Sequence, residues 1–310
     1  MSSKTFRASS ACPPLRVLAS LALAAASTGA LQPAYAQNVR VAAGTIEDRR
    51  TTGKFFAGLE IELKLTGDDL EGARAARAVV TKAVDDKGGD LLPEEKKEAE
   101  FAKAGGGSGP NLKLALKNPA RGASALTEVS GSVELYMPGR DPAAVAMIEK
   151  LLSRMDKPLA SPALKSAQVE LKLISPKAYR ERSKKSEAEF EKEMAKHKEE
   201  MKKEAESKGM SEKETDALMQ LAKGLMGMMG TVGENDLVFE IKDKDKRLFD
   251  LEVVGRDGTV ISSNGSMTSS DIKIVNYKEK IPADAKLRVF LKTKKAVVFS
   301  PFVMKDVPLP

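Results

Sequence analysis

The chain has 310 residues, with 51 Lys and Arg against 44 Asp and Glu, which gives a formal net charge of +7 at pH 7. It contains one cysteine, one histidine and no tryptophan. These counts exclude zinc sites of the usual cysteine and histidine type and catalysis by histidine clusters. The basic residues are interleaved with acidic ones and form no aromatic-lined stripe, so no nucleic-acid partner is predicted.

Residues 1–36 have the layout of a secretory signal peptide. Basic residues precede a short apolar run at 17–30, and Ala34 and Ala36 are the small residues of a cleavage site. No other stretch approaches eighteen apolar residues, so the mature chain is predicted to be exported, soluble and without a transmembrane segment, in the periplasm or cell envelope. Cys12 leaves with the leader, and the mature chain therefore has no thiol.

Residues 37–176 are predicted to form an N-terminal β-sandwich-like domain with one short helix. Apolar and charged residues alternate strictly over 59–65, which is typical of a half-buried strand. Pro142 after Asp141 and a helical spacing of apolar residues over 145–155 predict an amphipathic helix. Alternation predicts four more strands, at 78–84, 112–116, 129–137 and 169–173.

Residues 177–230 are predicted to form a long charged helical hairpin. The first part is almost continuous Lys, Glu, Ala and Ser, and its thin apolar seam has coiled-coil spacing. Gly209 ends this helix, and the capping box at 211–214 begins a second one. The two helices are expected to pack antiparallel and to project from the β regions as an arm.

Residues 231–310 return to short alternating strands and are predicted to be a C-terminal β-sandwich-like domain. A weak internal repeat connects it with the first β region. Alternating apolar residues at 59–65 precede a strand that ends in an Asp-Gly-type turn at 85–88, and residues 237–241 precede a similar strand and turn at 251–258.

This repeated pattern resembles the immunoglobulin-like modules of bacterial envelope proteins. The resemblance concerns the fold alone and implies no activity. It implies a mostly β protein with an α insertion, in which two immunoglobulin-like antiparallel β-sandwich regions are separated by the helical hairpin.

No segment carries a specific catalytic motif. A Ser-His-Asp system would have to use His197, and no Gly-x-Ser-x-Gly turn is present to hold its nucleophile. The acids Asp85 and Asp86 before two glycines favour a turn over a calcium site. We therefore expect no catalytic residue, no cofactor and no enzymatic activity, with a hydrolase of unrecognised site as one alternative.

Two groups of residues in the predicted hairpin are candidate binding sites. Met194, His197 and Met201 share one helix face and have the thioether and imidazole groups that suit Cu(I) or Ag(I), although methionine at helical spacing also packs seams. An apolar tip could contact a partner protein through Leu225, Met226, Met228 and Met229.

The function predicted from the sequence is that of an exported, non-catalytic binding or structural protein of the periplasm or cell envelope. The helical hairpin would be the arm that contacts an envelope protein partner. Soft-metal binding by the methionines and histidine of the hairpin is the alternative function.

Overall fold

The computed structural model describes most of the chain after residue 38, and this part is mostly β. Its strands form four antiparallel sheets. The described residues are 39–51, 57–94, 99–104, 110–185 and 232–310, with a few separate positions between 186 and 231.

The strands in chain order are β1 (Arg40–Arg49), β2 (Gly58–Thr66), β3 (Ala75–Asp85), β4 (Ala102–Lys103), β5 (Leu112–Leu116), β6 (Ala125–Tyr136), β7 (Val145–Ile148), β8 (Glu170–Ile174), β9 (Leu237–Lys242), β10 (Leu248–Val254), β11 (Gly265–Ser269), β12 (Ile272–Asn276), β13 (Lys286–Leu291) and β14 (Val297–Pro308). The described α-helices are α1 (Pro162–Ala167) and α2 (176–185).

Sheets 1 and 2 enclose the first core. Sheet 1 has the strand order β14-β6-β3-β4, and sheet 2 has the order β1-β2-β5. Strict alternation explains how sheet 2 packs, because β2 buries Leu59, Ile61 and Leu63 and keeps the charged residues between them out of the core. Val129 and Val133 of β6 pack on the same core from sheet 1. We call these two sheets and their core the first unit.

Sheets 3 and 4 enclose the second core. Sheet 3 has the order β10-β13-β7, and sheet 4 has the order β11-β12-β9-β8. Leu173 and Phe239 of sheet 4 meet Leu287 of sheet 3 in this core. The short helix α1 adds Leu164 to the same core, and the Ser161 hydroxyl accepts the Leu164 N–H as its N-cap. We call this part the second unit.

The second unit is inserted between two neighbouring strands of the first unit. β6 ends at Tyr136 and β14 begins at Val297, and these two residues are directly opposite each other in sheet 1. The chain therefore leaves the first unit after β6, builds the second unit and returns at the same place. β14 then pairs along β6 as far as Pro308, which lies opposite Ala125.

The helix α2 lies on the outer face of sheet 4, away from the second core. Tyr179 of α2 is buried against Val238 of β9. Arg182 donates hydrogen bonds to Asp271 and Glu240, each at 2.7 Å, and so connects the helix to the sheet through two carboxylates. These contacts fix the point at which the chain enters the segment 186–231.

The fold class predicted from the sequence is wrong in two respects. The described residues contain no long helical hairpin, because α2 is helical over 176–185 and the rest of the hairpin predicted at 177–230 lies outside the described residues, apart from a few separate positions. The two β regions are also not separate consecutive sandwiches, since β14 pairs with β6 and β8 pairs with β9. The sequence also predicts domain boundaries at residues 36, 176 and 230. Whether the segments between these boundaries fold independently stays a prediction.

The amphipathic helix predicted over 145–155 is wrong as well. Residues Val145–Ile148 form β7, which pairs with β13 in sheet 3. Lys150 then adopts a left-handed φ of 54°, and a 3-10 turn follows over Leu151–Arg154. The spacing of the apolar residues suits a helix, but pairing with β13 decides the conformation, since tertiary contacts override local propensity.

Candidate functional site

Aromatic rings fill the junction between the two units. Tyr136 at the end of β6 stacks on Phe249 of β10, with ring centroids 4.0 Å apart and an angle of 25° between the rings. Phe101 lies edge-on to Phe249 at 5.8 Å, and Phe290 packs into the same cluster. We call Phe101, Tyr136, Phe249 and Phe290 the junction cluster. Burial raises the pKa of the Tyr136 hydroxyl, which donates to the Leu291 carbonyl oxygen at 3.1 Å.

Oppositely charged side chains from both units form ion pairs beside the junction cluster. Arg74 of the first unit forms an ion pair with Glu252 of the second unit, and its guanidinium carbon lies 3.9 Å from the centroid of the Phe290 ring. Arg288 of β13 reaches the other oxygen of Glu252 at 3.4 Å. One carboxylate therefore holds one cation from each unit at the junction.

Asp250 is a second acid at the junction, and unlike the partly exposed Glu252 it is buried. Its carboxylate accepts a 2.6 Å hydrogen bond from Lys103 of the first unit and lies 3.9 Å from the Lys273 ammonium. Burial lowers the pKa of Lys273, and the nearby Asp250 charge opposes that shift. Burial and Asp250 raise the pKa of Tyr277 to about 12. Lys273 belongs to the second unit, as Asp250 does, so the hydrogen bond from Lys103 is the contact of this group that connects the two units.

A cleft of about 440 Å³ opens beside β8, at the edge of the second unit. The preceding chain runs along β8, and the Leu159 N–H donates to the Leu171 carbonyl oxygen at 2.7 Å. The chain then turns at Ser161 into α1 and returns to β8 through Gln168, whose φ is left-handed at 57°. We call this the β8 cleft, and its lining residues are Pro158, Leu159, Ala160, Ser161, Leu164, Lys165, Val169, Glu170, Leu171, Lys172, Glu240 and Lys242.

The β8 cleft combines an apolar floor with a charged rim. Leu159, Leu164 and Leu171 are buried residues of the second core that also line the cleft. The β8 and β9 residues of the rim belong to the outer face of sheet 4, because they alternate with residues of the second core. The charged residues of the rim are Lys165, Glu170, Lys172, Glu240 and Lys242.

Both acids on the rim have a cation beside them. Glu170 lies 3.1 Å from Lys242, its direct neighbour across the β8–β9 pair. Glu240 accepts a hydrogen bond from Arg182 of α2 at 2.7 Å. With three lysines against two glutamates among its lining residues, the rim carries a small excess of positive charge.

The site residues predicted from the sequence cannot be compared with this geometry. Met194, His197 and Met201 of the predicted metal site lie outside the described residues. The same holds for the predicted partner-binding tip, which comprises Leu225, Met226, Met228 and Met229. Within the described part of the chain, no group of three or more His, Cys, Asp or Glu side chains is arranged to hold a metal ion.

The turn predicted at Asp85 is confirmed. Its carboxylate accepts hydrogen bonds from the backbone N–H groups of Lys87, Gly89 and Ala120, at 3.0, 2.7 and 2.8 Å. Burial acts to raise the pKa of Asp85, but these three donors outweigh it and leave the pKa below its ordinary value. A carboxylate held by three backbone N–H groups in this way has a structural role.

Sequence reasoning missed both the junction cluster and the β8 cleft. The cleft has one local signal, Ser161 followed by Pro162, which is the N-cap and first-turn pattern of a short helix. The junction has no local signal, because Phe101, Tyr136 and Phe249 meet only when the two units pack against each other.

Comparisons with known proteins found no match to this chain among protein-family models, curated proteins or solved structures. The resemblance to immunoglobulin-like envelope modules therefore stays a prediction. Among the residues that the structure describes, no helix has the length and apolar character needed to cross a membrane.

Proposed function

We propose that this protein is an exported, non-catalytic binding protein of the cell envelope that holds an amphipathic anion in the β8 cleft. The observation that carries the proposal is the two-part lining of the cleft, in which an aliphatic floor lies below a rim with excess positive charge. Sites for small ligands usually combine apolar walls with a few polar groups that fix orientation. The volume of the β8 cleft, about 440 Å³, suits a small ligand with an apolar body and a charged head group.

The charges on the rim favour an acidic head group. Glu170 and Glu240 each lie beside a cation, whereas Lys165 and Lys172 add further positive charge at the mouth of the cleft. An anion beside these lysines would gain charge-assisted hydrogen bonds, and its apolar body would cover Leu164 on the floor. The same pairing of the acids supports binding over acid–base chemistry.

The proposal of export rests on the leader. The cores of both units are aliphatic and aromatic, and the mature chain has no cysteine, so folding outside the cytoplasm would need no disulfide. We expect the protein that accumulates outside the cytoplasmic membrane to begin at Gln37, measured by intact mass after cell fractionation. A chain that keeps residues 1–36 and stays in the cytoplasm would contradict export.

The ligand class is tested by titration calorimetry with octanoate and with octanol, which share an apolar chain and differ in charge. Octanoate should bind more tightly than octanol. Ala160→Trp fills the cleft from an exposed position and should weaken octanoate binding by at least about tenfold, roughly 1.4 kcal/mol. Ala283→Trp, at an exposed alanine outside the cleft lining, is the matched control and should leave binding unchanged.

Charge reversal at the rim separates the head group from the chain. Lys172→Glu should weaken octanoate binding by about fivefold, since one partly exposed charge pair is worth about 1 kcal/mol, and should leave octanol binding unchanged. Lys305→Glu reverses an exposed lysine on β14 of the first unit and is the control. The proposal fails if the wild-type chain binds neither probe at millimolar concentration, or if Ala160→Trp binds octanoate as the wild type does.

A further inference from the structure

The outer strands of the second unit differ in how their free edges are covered. The edge of β8 is covered by the preceding chain, through the Leu159 N–H bond to Leu171. The edge of β10 is covered by the chain after it, because the Ile261 N–H donates to the Val253 carbonyl oxygen at 2.9 Å. Outer strands commonly need such covering, charged residues or irregularities, since unpaired backbone groups attract another strand.

β11 is the outer strand of sheet 4 whose far edge is covered by none of the residues that the structure describes. It pairs with β12 on one side, and no other described strand lies on its far side. Four of its five residues are exposed, and its register with β12 shows no bulge. No charged residue and no proline occurs from Gly258 to Ser270, so the sequence around this edge offers nothing that repels an added strand.

An apolar row crosses sheet 4 and ends at the open edge. Ile174 of β8 lies opposite Val238 of β9, which lies opposite Ile274 of β12, and Ile274 lies opposite Met267 of β11. The first three residues are buried and share a cluster with Tyr179 of α2. Met267 is 40% exposed. The row therefore stops at an exposed apolar side chain in the middle of an unpaired strand edge.

We infer that the open edge of β11 pairs with β11 of a second copy of this chain, antiparallel and centred on Met267. In this register Met267 lies opposite Met267 of the other copy, Ser266 opposite Thr268, and Gly265 opposite Ser269. No charge faces a like charge, and each small residue faces another small residue. The apolar rows of the two copies then join into one row across eight strands.

The self-complementary sequence of β11 favours a second copy over a foreign strand. A two-fold axis between the two strands places the residues on either side of Met267 opposite each other, so they must be compatible. The uncharged residues Ser266, Thr268, Gly265 and Ser269 meet that condition. A pair of five-residue strands buries far less than the roughly 1,600 Å² of a standard stable interface. The association is therefore weak and is best detected by covalent trapping.

The mature chain has no cysteine, so Met267→Cys introduces a single thiol at the centre of the proposed pair. Directly opposed residues in antiparallel strands have Cβ atoms about 4.5–5.5 Å apart, close to the spacing that a disulfide needs. We expect this variant to form disulfide dimers at least about tenfold faster than Val303→Cys, whose position on β14 is 60% exposed, when both are oxidised at equal concentration. Equal rates for the two variants would overturn the inference.

A second variant tests whether the contact is a strand pair. Ser266→Lys, added to Met267→Cys, places a lysine at an exposed position of the strand edge, and it should slow the disulfide formation toward the Val303→Cys rate. Unchanged trapping would overturn the strand-pair geometry. In an envelope extract, a disulfide of Met267→Cys to a different protein in place of the self-dimer would overturn the choice of a second copy. None of these outcomes depends on the ligand of the β8 cleft.

Discussion

The first and second units have similar sheets but use their edges and polar groups differently. In the first unit, β6 and β14 are twelve-residue strands that pair along nearly their whole length. The buried Asp85 carboxylate of this unit accepts hydrogen bonds from three backbone N–H groups. In the second unit the longest strand, β10, has seven residues. The second unit also carries the β8 cleft, the open edge of β11 and the point where the chain enters the segment 186–231.

This difference indicates a division of labour within one body. Long paired strands give the first unit many backbone hydrogen bonds between residues that are far apart in sequence. These bonds hold both ends of the inserted unit, at Tyr136 and Val297. The second unit has accessible surfaces because its strands are short and its edges are covered only in part. The contacts therefore favour an organisation in which the first unit is a frame and the second unit is an inserted binding unit. Three substitutions test this difference between the units.

The largest effect is expected at the junction cluster, where the frame meets the inserted unit. Tyr136→Ala removes a fully buried ring that stacks on Phe249, and truncation of such a ring costs about 3–5 kcal/mol. We expect calorimetry to show two separate thermal transitions in this variant and a single one in the wild type, because the two units lose the stacked contact between Tyr136 and Phe249.

Tyr136→Phe is the matched control for that change. It keeps the stacked ring and removes only the hydroxyl that donates to the Leu291 carbonyl oxygen, which should cost about 1–2 kcal/mol without separating the transitions. Equal effects of the two substitutions would contradict a frame that is coupled to the inserted unit through ring packing.

The next effect tests the frame alone, at the Asp85 turn. Asp85→Asn removes the charge that accepts three backbone N–H groups, and we expect a loss of about 2 kcal/mol in the free energy of unfolding at pH 7. The pKa of Asp85 is lowered in the folded state, so its contribution is present above the unfolded pKa and is lost as the pH falls through the folded pKa.

Urea unfolding at pH 7 and at pH 3 measures this contribution. The variant should lose less stability than the wild type between these two pH values. Asp284→Asn, at an exposed aspartate of the second unit, is the control and should leave the acid sensitivity of the wild type unchanged. An acid sensitivity that Asp85→Asn leaves unchanged would show that the turn does not secure the frame.

Local pattern predicted much of the strand content, and it did so where one face of a strand is buried. The alternation at 59–65 gave β2, and that at 112–116 gave β5, because each strand packs one face on the first core. The turn at Asp85 also followed from its local composition. These features depend on neighbours within a few residues, and the sequence shows those neighbours directly.

The nesting of the units and the candidate site depend on contacts that no local pattern encodes. Val297 of β14 follows its partner Tyr136 of β6 by 161 positions. The alternation of a strand shows which face is buried but does not identify the strand that pairs with it. The helix predicted over 145–155 failed for the same reason, since β13 imposes an extended conformation on β7. The β8 cleft is lined by residues of both α1 and β9, which are far apart in the sequence and come together only in the folded chain.

The smallest effect is expected in the inserted unit, at Tyr277. Burial and the Asp250 charge raise the pKa of this hydroxyl to about 12, so the folded state disfavours its ionised form. The contribution of Tyr277 to stability is therefore present below the unfolded pKa of about 10 and is lost as the pH rises toward 12. Between pH 9 and 11.5, Tyr277→Phe should lose about 1–2 kcal/mol less than the wild type in urea unfolding, because phenylalanine cannot ionise. If Tyr277→Phe loses as much stability as the wild type between these pH values, the buried hydroxyl of Tyr277 makes no such contribution to the inserted unit.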